Sequence, residues 1–203
     1  MRKNKDDIIR KQVAALGRPS TELLDRVIAR CDRIASYRRL ARMLLAGFLV
    51  LAAASAVVLY LWVTPLQLDG TSMEPLLRMD EIVLAVKTDS PARNDLIAFY
   101  HNNRLHVKRV IAVAGDRVEI DGDGLVSVNG ETLKEPYVAE PSLGSCDIGF
   151  PCYVLPGTVF VLGDNRPSSL DSRDSRFGPV GRDQIVGRVV LRVWPPGRLG
   201  SVK

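Results

Sequence analysis

The chain has 203 residues, of which 46% are hydrophobic and 25% charged, enough for one globular domain and an appendage. Its mean hydropathy of +0.05 is high for a purely soluble protein. The net charge of +5 does not indicate nucleic-acid binding by the chain as a whole, because residues 1–42 contain 12 Lys and Arg against 5 Asp and Glu, and the remainder is slightly acidic.

Residues 1–41 form a basic segment in which an amphipathic helix is predicted. Ser20, after Pro19, suits the N-cap position. Two interpretations stay open: a solvated basic anchor without a specific role, or a helix that lies on anionic lipid or packs against a partner. The apolar residues that recur at helical spacing are Leu23, Leu24, Val27, Ile28, Cys31, Ile34 and Ala35.

A single transmembrane helix is predicted over residues 42–64. No charged residue occurs between Met43 and Val63, and a helix of that length spans about 30 Å, the thickness of a bilayer's hydrocarbon core. Arg38, Arg39 and Arg42 precede the stretch, so the positive-inside rule places the N-terminus in the cytoplasm and residues 65–203 outside. A cleaved signal peptide fits less well, since the apolar run is long and starts far along the chain.

Beyond Pro65 the pattern changes to short runs typical of β-strands, and helical periodicity is nearly absent. Asn129-Gly130 is typical of a hairpin turn, and Asp121 to Gly124 indicates another. Residues 65–203 are therefore predicted to form one mainly β, extracytoplasmic domain. The predicted strands are Glu81–Lys87, Asp95–His101, Leu105–Ala114, Arg117–Ile120, Leu125–Val128, Val159–Leu162 and Gln184–Val193.

The cysteines give a weaker signal. Cys146 and Cys152 lie in one loop on the side predicted to be oxidising, so a disulfide between them is a candidate. Zinc binding by this pair is disfavoured, because the spacing is not Cys-x2-Cys and both histidines are distant in sequence. Cys31, on the cytoplasmic side, is expected to act as a small apolar residue.

Ser72 follows Val63 within ten residues and is the candidate nucleophile. Lys108 lies in the apolar run Val107-Lys108-Arg109-Val110, where burial would lower its pKa and let a neutral amine take the serine proton. Alternation along a strand points Lys108 and Arg109 in opposite directions. Taken alone, each residue has an ordinary explanation, a loop serine and a lysine that reaches water. The bases available to Ser72 are His101, His106, Lys87, Lys108, Lys134 and Lys203.

Three segments taken together resemble the bacterial type I signal peptidases. They are Gly70-Thr71-Ser72-Met73-Glu74-Pro75 with Asp80-Glu81-Ile82-Val83, then Lys108 through Asp116, and then Gly163-Asp164-Asn165-Arg166 through Asp171-Ser172-Arg173. Each box alone is weak, but their order after a membrane anchor is specific, and the resemblance covers residues 66–195.

The resemblance implies a coiled antiparallel β-sheet catalytic domain and a membrane-bound serine endopeptidase that removes signal peptides from exported preproteins without a cofactor or metal. Ser72 would be the nucleophile and Lys108 the general base. Ser169 would orient the lysine, and Asp171 and Arg173 would brace the loop. Further support is assigned to Asp164, Asn165 and Arg109, and substrate contacts to Leu68, Met73, Leu77, Val83 and Val107.

Two positions depart from the commonest family pattern. Leu76 stands where threonine is usual, and Gly70 cannot supply an oxyanion-hole hydroxyl, so the Ser72 backbone N–H and the Gly70 region are the expected donors. The substrate is expected to bind as an extended strand, with small side chains at positions −3 and −1 before the cut. His106 shares a strand face with Lys108 and is expected to pack beside it.

The expected partners are signal peptides of preproteins and membrane lipid, with the secretion translocon as a further candidate and no nucleic acid. Three alternatives remain: a dedicated Ser/Lys peptidase that matures pilin or a conjugation component, an inactive homologue that binds signal peptides, and a lipid or nucleic-acid adaptor acting through residues 1–42. The intact Ser72 and Lys108 argue against the inactive homologue.

Overall fold

The computed structural model describes Lys11 and residues 21–202. The suggested N-cap Ser20, most of residues 1–18 and Lys203 lie outside the described residues. The chain divides into two compact units, residues 1–57 and 58–203.

One continuous helix, α1, runs from Thr21 to Trp62. The sequence suggested an amphipathic helix followed by a separate membrane helix, but no proline occurs between residues 21 and 62 and the only glycine is Gly47, so nothing breaks the backbone hydrogen bonding. The part Ile28–Trp62 is long and apolar enough to cross a membrane. The predicted end at residue 64 is two residues too late, because β1 begins at Val63.

The remaining residues form two antiparallel sheets. The larger has eight strands in the order β1, β2, β11, β3, β4, β9, β10, with β12 paired to β11, and the smaller has the order β7, β6, β5, β8. The strands are β1 Val63–Gln67, β2 Ile82–Val86, β3 Leu96–His101, β4 Arg104–Val113, β5 Arg117–Ile120, β6 Val126–Val128, β7 Glu131–Thr132, β8 Cys152–Tyr153, β9 Thr158–Leu162, β10 Val180–Gly181, β11 Ile185–Trp194 and β12 Gly200–Ser201. Two short 3-10 helices, Arg182–Gln184 and Pro196–Arg198, flank β11.

The mainly β, antiparallel fold expected from the sequence is confirmed. All seven predicted strands are present within a residue or two of their predicted bounds. The hairpin between β6 and β7 turns at Asn129 and Gly130, both with positive φ, as an Asn-Gly turn requires.

Strand β3 shows how the alternation of side chains builds the domain. Leu96 and Ala98 join one buried apolar cluster, whereas Ile97 and Phe99 join another on the opposite face of the sheet. A third cluster, which includes Val118 and other side chains of the smaller sheet, packs separately. Strand β4 pairs with β3 through residues 104–109 and with β9 through residues 109–113, and its residues 107–109 are buried.

The candidate disulfide is not formed. Cys146 and Cys152 are both free thiols. The Cys146 thiol donates to the backbone carbonyl of Ile148 at 3.7 Å, while Cys152 packs against the apolar cluster of the smaller sheet. Each sulfur is thus engaged locally rather than with the other. Cys31, expected to be a small apolar residue, is exposed on α1.

Candidate active site

Ser72 lies in the turn that follows β1, and Asn165 fixes the backbone of this turn. The Asn165 N–H donates to the Ser72 carbonyl at 3.0 Å, and its side-chain amide donates to the Thr71 carbonyl at 3.2 Å. Among the described residues, no hydrogen-bond partner engages either the Ser72 hydroxyl or its backbone N–H. Both groups of the partly buried serine are therefore available to a substrate.

Lys108 lies at the centre of β4 and is only 2% exposed. Its Nζ donates a hydrogen bond to Ser169 Oγ at 2.9 Å. Burial is the main cause that lowers the pKa of Lys108 from 10.5 to about 8, since a buried site disfavours the charged ammonium. The expected pairing of Ser169 with the lysine is therefore seen in the geometry, and the lowered pKa increases the fraction of neutral lysine near neutral pH.

Gly163 brings the serine turn and the lysine partner together. A Cβ on Gly163 would lie 2.2 Å from Ser169 Oγ and 2.5 Å from the Ser72 carbonyl oxygen, so both oxygens converge on space that only glycine leaves open. Although no direct hydrogen bond joins Ser72 Oγ to Lys108 Nζ in the part of the chain that is described, Ser169 connects the lysine to the immediate surroundings of Ser72.

Three buried arginines hold the loop that carries Ser169, and each pairs with a carboxylate. Arg173 is bidentate to Asp171 at 2.8 Å through Nε and 2.8 Å through Nη2, and both side chains are fully buried. The same carboxylate accepts from the Gly163 N–H at 3.0 Å. Asp171 and Arg173, predicted to brace the loop, thus fix the backbone at Gly163 directly.

The second pair joins Arg109 to Asp164, with distances of 2.8 and 2.7 Å. Arg109 also lies over the Tyr137 ring, 3.8 Å from its centroid. Arg109 and Lys108 engage different partners on opposite sides of β4, as strand alternation predicts. Asp164 precedes Asn165, so this pair anchors the residue that clamps the Ser72 turn.

The third pair, between Arg166 and Glu135 at 2.6 Å, was not anticipated from the sequence. Arg166 Nε also donates to the Gly163 carbonyl at 3.0 Å. The residues are 31 positions apart and Glu135 lies outside the recognised segments. Only the density of Arg and Asp in residues 163–173 hinted at such pairing.

On the oxyanion side, Gly70 has a φ of +119°, a backbone conformation that side chains other than glycine rarely adopt. An added hydroxyl at this position would strain the backbone even though the surrounding space is open. The free Ser72 N–H therefore remains the donor that the geometry offers to a developing oxyanion.

A small cleft of about 30 Å³ contains Ser72. Of the predicted substrate residues, Leu68, Met73, Leu77 and Val107 line it. Val83 does not, because it is fully buried in the apolar cluster beneath. The lining residues that the sequence reasoning did not assign to substrate are Gln67, Asp69, Leu105 and His106; the end of β1 and the alternation along β4 are the signals that could have found them.

His106 packs beside the site as expected. Its ring stacks on Phe99 at 6.0 Å between centroids and meets Phe177 edge-on at 5.6 Å. Burial, followed by the charge of Lys108, lowers the pKa of His106 to about 4. An imidazole with that pKa is a much weaker base than Lys108.

Comparison with known proteins decides the family. The family described as "Signal peptidase, peptidase S26" matches residues 40–194. The chain belongs to this signal peptidase family. That match covers the end of α1, Ser72, Lys108 and the loop of Ser169, so every element of the candidate site falls inside it.

The proteins similar to this chain include signal peptidases and a related processing peptidase. Signal peptidase I of Mycobacterium tuberculosis is 33% identical over 80% of this chain and 76% of its own length, and signal peptidase IB of Staphylococcus aureus is 39% identical over 66% and 78%. The thylakoidal processing peptidase 1 of Arabidopsis thaliana is 36% identical over 68% of this chain, but the match spans only 44% of that longer enzyme. A signal peptidase I structure from Enterococcus faecalis, 33% identical, superposes with a TM-score of 0.41 over 49% of this chain and 96% of its own.

The family match and the signal peptidases of M. tuberculosis and S. aureus show that the chain is a serine endopeptidase, a hydrolase that acts on signal peptides. One apolar helix long enough to cross a membrane precedes its β-domain, in agreement with a membrane-anchored enzyme.

Proposed function

We propose that Ser72 and Lys108 form the catalytic dyad of this signal peptidase, and that it cleaves preproteins after small residues at −3 and −1. The observation that carries the proposal is the buried Lys108, held by Ser169 beside the Ser72 turn with a pKa of about 8. A neutral amine in this position accepts the Ser72 proton as Oγ attacks the scissile carbonyl.

The reaction proceeds through an acyl-enzyme. The oxyanion of the tetrahedral intermediate accepts a hydrogen bond from the Ser72 N–H, and the Lys108 ammonium returns its proton to the leaving amine. The lysine, neutral again, then takes a proton from a water that attacks the ester. Its ammonium returns that proton to Ser72 Oγ as the carboxyl product leaves, which regenerates the free serine and the neutral lysine. Burial favours the neutral lysine at both steps at which it acts as base.

The size of the cleft supports the preference for small side chains. Its volume of about 30 Å³ exceeds the roughly 10–15 Å³ that one water molecule needs but is far below the roughly 300–1,000 Å³ of typical ligand pockets. Leu68, Met73, Leu77 and Val107 make the walls apolar and leave space for a methyl group. Larger side chains would be excluded by overlap with these walls.

The edge of the larger sheet supports extended binding of the substrate. Within residues 21–202, strand β1 is the terminal strand and pairs only with β2, so no described strand occupies the edge at which a peptide strand could add. Its last residue, Gln67, lines the Ser72 cleft. A peptide that adds to this edge would therefore extend into the cleft that contains Ser72.

For the membrane we propose a single pass with the N-terminus in the cytoplasm and the β-domain outside. The support is the basic excess of residues 1–42 ahead of the apolar stretch. Contacts with membrane lipid and with the secretion translocon belong to the same proposal, because preproteins reach the enzyme at that membrane.

Cleavage of a model preprotein by the full chain in detergent tests the dyad. Ser72→Ala and Lys108→Ala are each expected to lower kcat/KM by roughly 10⁴-fold or more. Ser90→Ala and Lys87→Ala, at exposed positions in the same domain, serve as matched controls and should retain activity. Near-normal cleavage by either dyad variant would refute the assignment. Depletion of the protein in cells separates two possibilities. A general signal peptidase would leave many secreted proteins unprocessed, whereas a dedicated peptidase would leave only one unprocessed.

A further inference from the structure

A second cavity adjoins the Ser72 cleft, and His106 forms part of the wall of both. This cavity has a volume of about 370 Å³, an order of magnitude more than the cleft. Its other lining residues include Leu170, which directly follows Ser169, the hydrogen-bond partner of Lys108. The cavity therefore lies on the Lys108 side of the site.

The chemistry of acyl transfer identifies which part of a substrate reaches that side. Lys108 must protonate the leaving nitrogen, so the first residue after the cut lies next to its Nζ. In the proposed mechanism the residues before the cut occupy the cleft with Leu68 and Met73, so the chain after the cut would leave on the side of Ser169 and Leu170. The cavity of about 370 Å³ is the space available to it there.

The lining of the cavity is aromatic at its base and cationic at its rim. The His101 ring stacks on Phe177 at 4.4 Å between centroids, and Phe177 is 5% exposed. Arg104 and Arg176 contribute the charge, and none of the seven lining residues is acidic. Arg176 pairs with Asp174 at 2.6 Å, whereas Arg104 forms no ion pair with any described residue.

We propose that this cavity binds the first residues of the mature protein, positions +1 to +3 after the cut, and that Arg104 makes it select a carboxylate side chain there. The proposal rests on the proposed function and adds recognition of the residues after the cut to recognition of the residues before it. The apolar cleft selects small residues before the cut, and the cationic cavity selects acidic residues after it. Leu170, 47% exposed, offers an apolar surface to the same segment.

A substrate series tests the proposal on the full chain in detergent. Preprotein peptides identical up to the cut carry Glu, Gln or Lys at +1, +2 or +3, and kcat/KM is measured for each. At one position at least, the wild type is expected to prefer Glu over Gln by about threefold, the size of an exposed ion pair, and to use Lys least. Arg104→Gln should reduce the ratio of Glu to Gln to about one, and Arg104→Glu should reverse the order of Glu and Lys.

Arg188→Gln is the matched control, because Arg188 is also exposed but lines a different cavity, and this variant should keep the wild-type ratio. Equal rates for Glu, Gln and Lys at all three positions in the wild type would overturn the proposal, and so would an unchanged ratio in both Arg104 variants. The charge-reversal variant keeps the test decisive, since a gain in relative use of Lys cannot arise from poor folding. Cleavage that survives Ser72→Ala would instead overturn the proposed dyad, so the two failures are distinguishable.

Discussion

If Lys108 is the base of the proposed dyad, the activity of the enzyme should rise with pH through about 8, because only the neutral lysine can accept a proton. Its pKa of about 8, lowered from 10.5 by burial, means that about a tenth of the molecules carry a neutral lysine at pH 7 and about a hundredth at pH 6. We therefore expect kcat/KM to increase about tenfold per pH unit below 8 and to level off above it.

The measurement uses the full chain in detergent at constant ionic strength, with a substrate that has no group titrating between pH 5 and 9. His106 provides the contrast. With its pKa at about 4, a reaction that used His106 as base would be nearly independent of pH above 5. His106→Gln should leave the midpoint of the profile near 8. A value of kcat/KM that does not change between pH 6 and 8 would refute the role of Lys108. So would a His106→Gln variant whose pH profile no longer has its midpoint near 8.

The lowered pKa of Lys108 also makes the stability of the fold depend on pH. The folded-state pKa of Lys108 is lowered, so the unfolded chain binds more protons between pH 8 and 10.5 and stability rises with pH in that window. Below pH 8 the shift corresponds to about 3 kcal/mol of lost stability. Lys108→Met should remove this cost, and its stability gain over the wild type should shrink as the pH rises from 8 to 10.5. An equal difference at all pH values in thermal unfolding would contradict the shift.

Two other substitutions follow from the packing of the loop. Gly163→Ala should lower kcat/KM at least about tenfold, because its Cβ would overlap the Ser72 carbonyl oxygen, while Gly122→Ala, whose Cβ meets nothing within 4 Å, should not change the cleavage rate. Asp171→Asn should lower the free energy of unfolding in urea by about 3 to 5 kcal/mol, because it leaves Arg173 buried and without its charge partner.

A specific result would contradict each of these two predictions. Gly163→Ala with a normal rate would mean that the Ser72 turn can move away without loss, and the proposed rigidity of the site would be wrong. For the buried pair, Asp95→Asn is the control, because its partner Arg188 is half exposed at 3.4 Å and its loss should cost no more than about 1 kcal/mol. Equal losses in Asp171→Asn and Asp95→Asn would remove the distinction between buried and exposed pairs.

Much of the fold could be predicted because its strands alternate. In β5, for example, the buried and partly buried residues repeat with a period of two, and the predicted bounds Arg117–Ile120 are those observed. Strand β1 was missed because Val63 continues the apolar run of the helix and because Pro65, at the centre of the strand, argues against a strand there. The two-residue strands β7, β8, β10 and β12 exist only through their pairing, which local sequence does not encode.

In the candidate site, too, local motifs could be predicted from the sequence and tertiary contacts could not. Ser72, Lys108 and Ser169 were predicted from short motifs, since their roles depend on residue type at fixed positions. Glu135 and His106 were harder, because their roles depend on the tertiary contacts that bring them to the site. The sequence made Cys146 and Cys152 only a candidate pair, since nearness along the chain does not by itself give disulfide geometry, and both are free thiols here.

The buried pair of Asp171 and Arg173 links the stability of the loop to the chemistry of the lysine. After burial, the next effects on the pKa of Lys108 are Asp171, which raises it, and Arg173, which lowers it. Without Arg173, the negative charge of Asp171 would favour the ammonium form of Lys108 and so remove the base. Asp171 is needed in the loop because it accepts the hydrogen bond of the Gly163 N–H, and the positive charge of Arg173 offsets its effect on the lysine. Asp171→Asn should therefore move the midpoint of the pH profile below that of the wild type even as the fold loses stability. A variant that was only loosely folded would hydrate Lys108 and move the midpoint upward, so the direction of the shift separates an electrostatic role from a structural one.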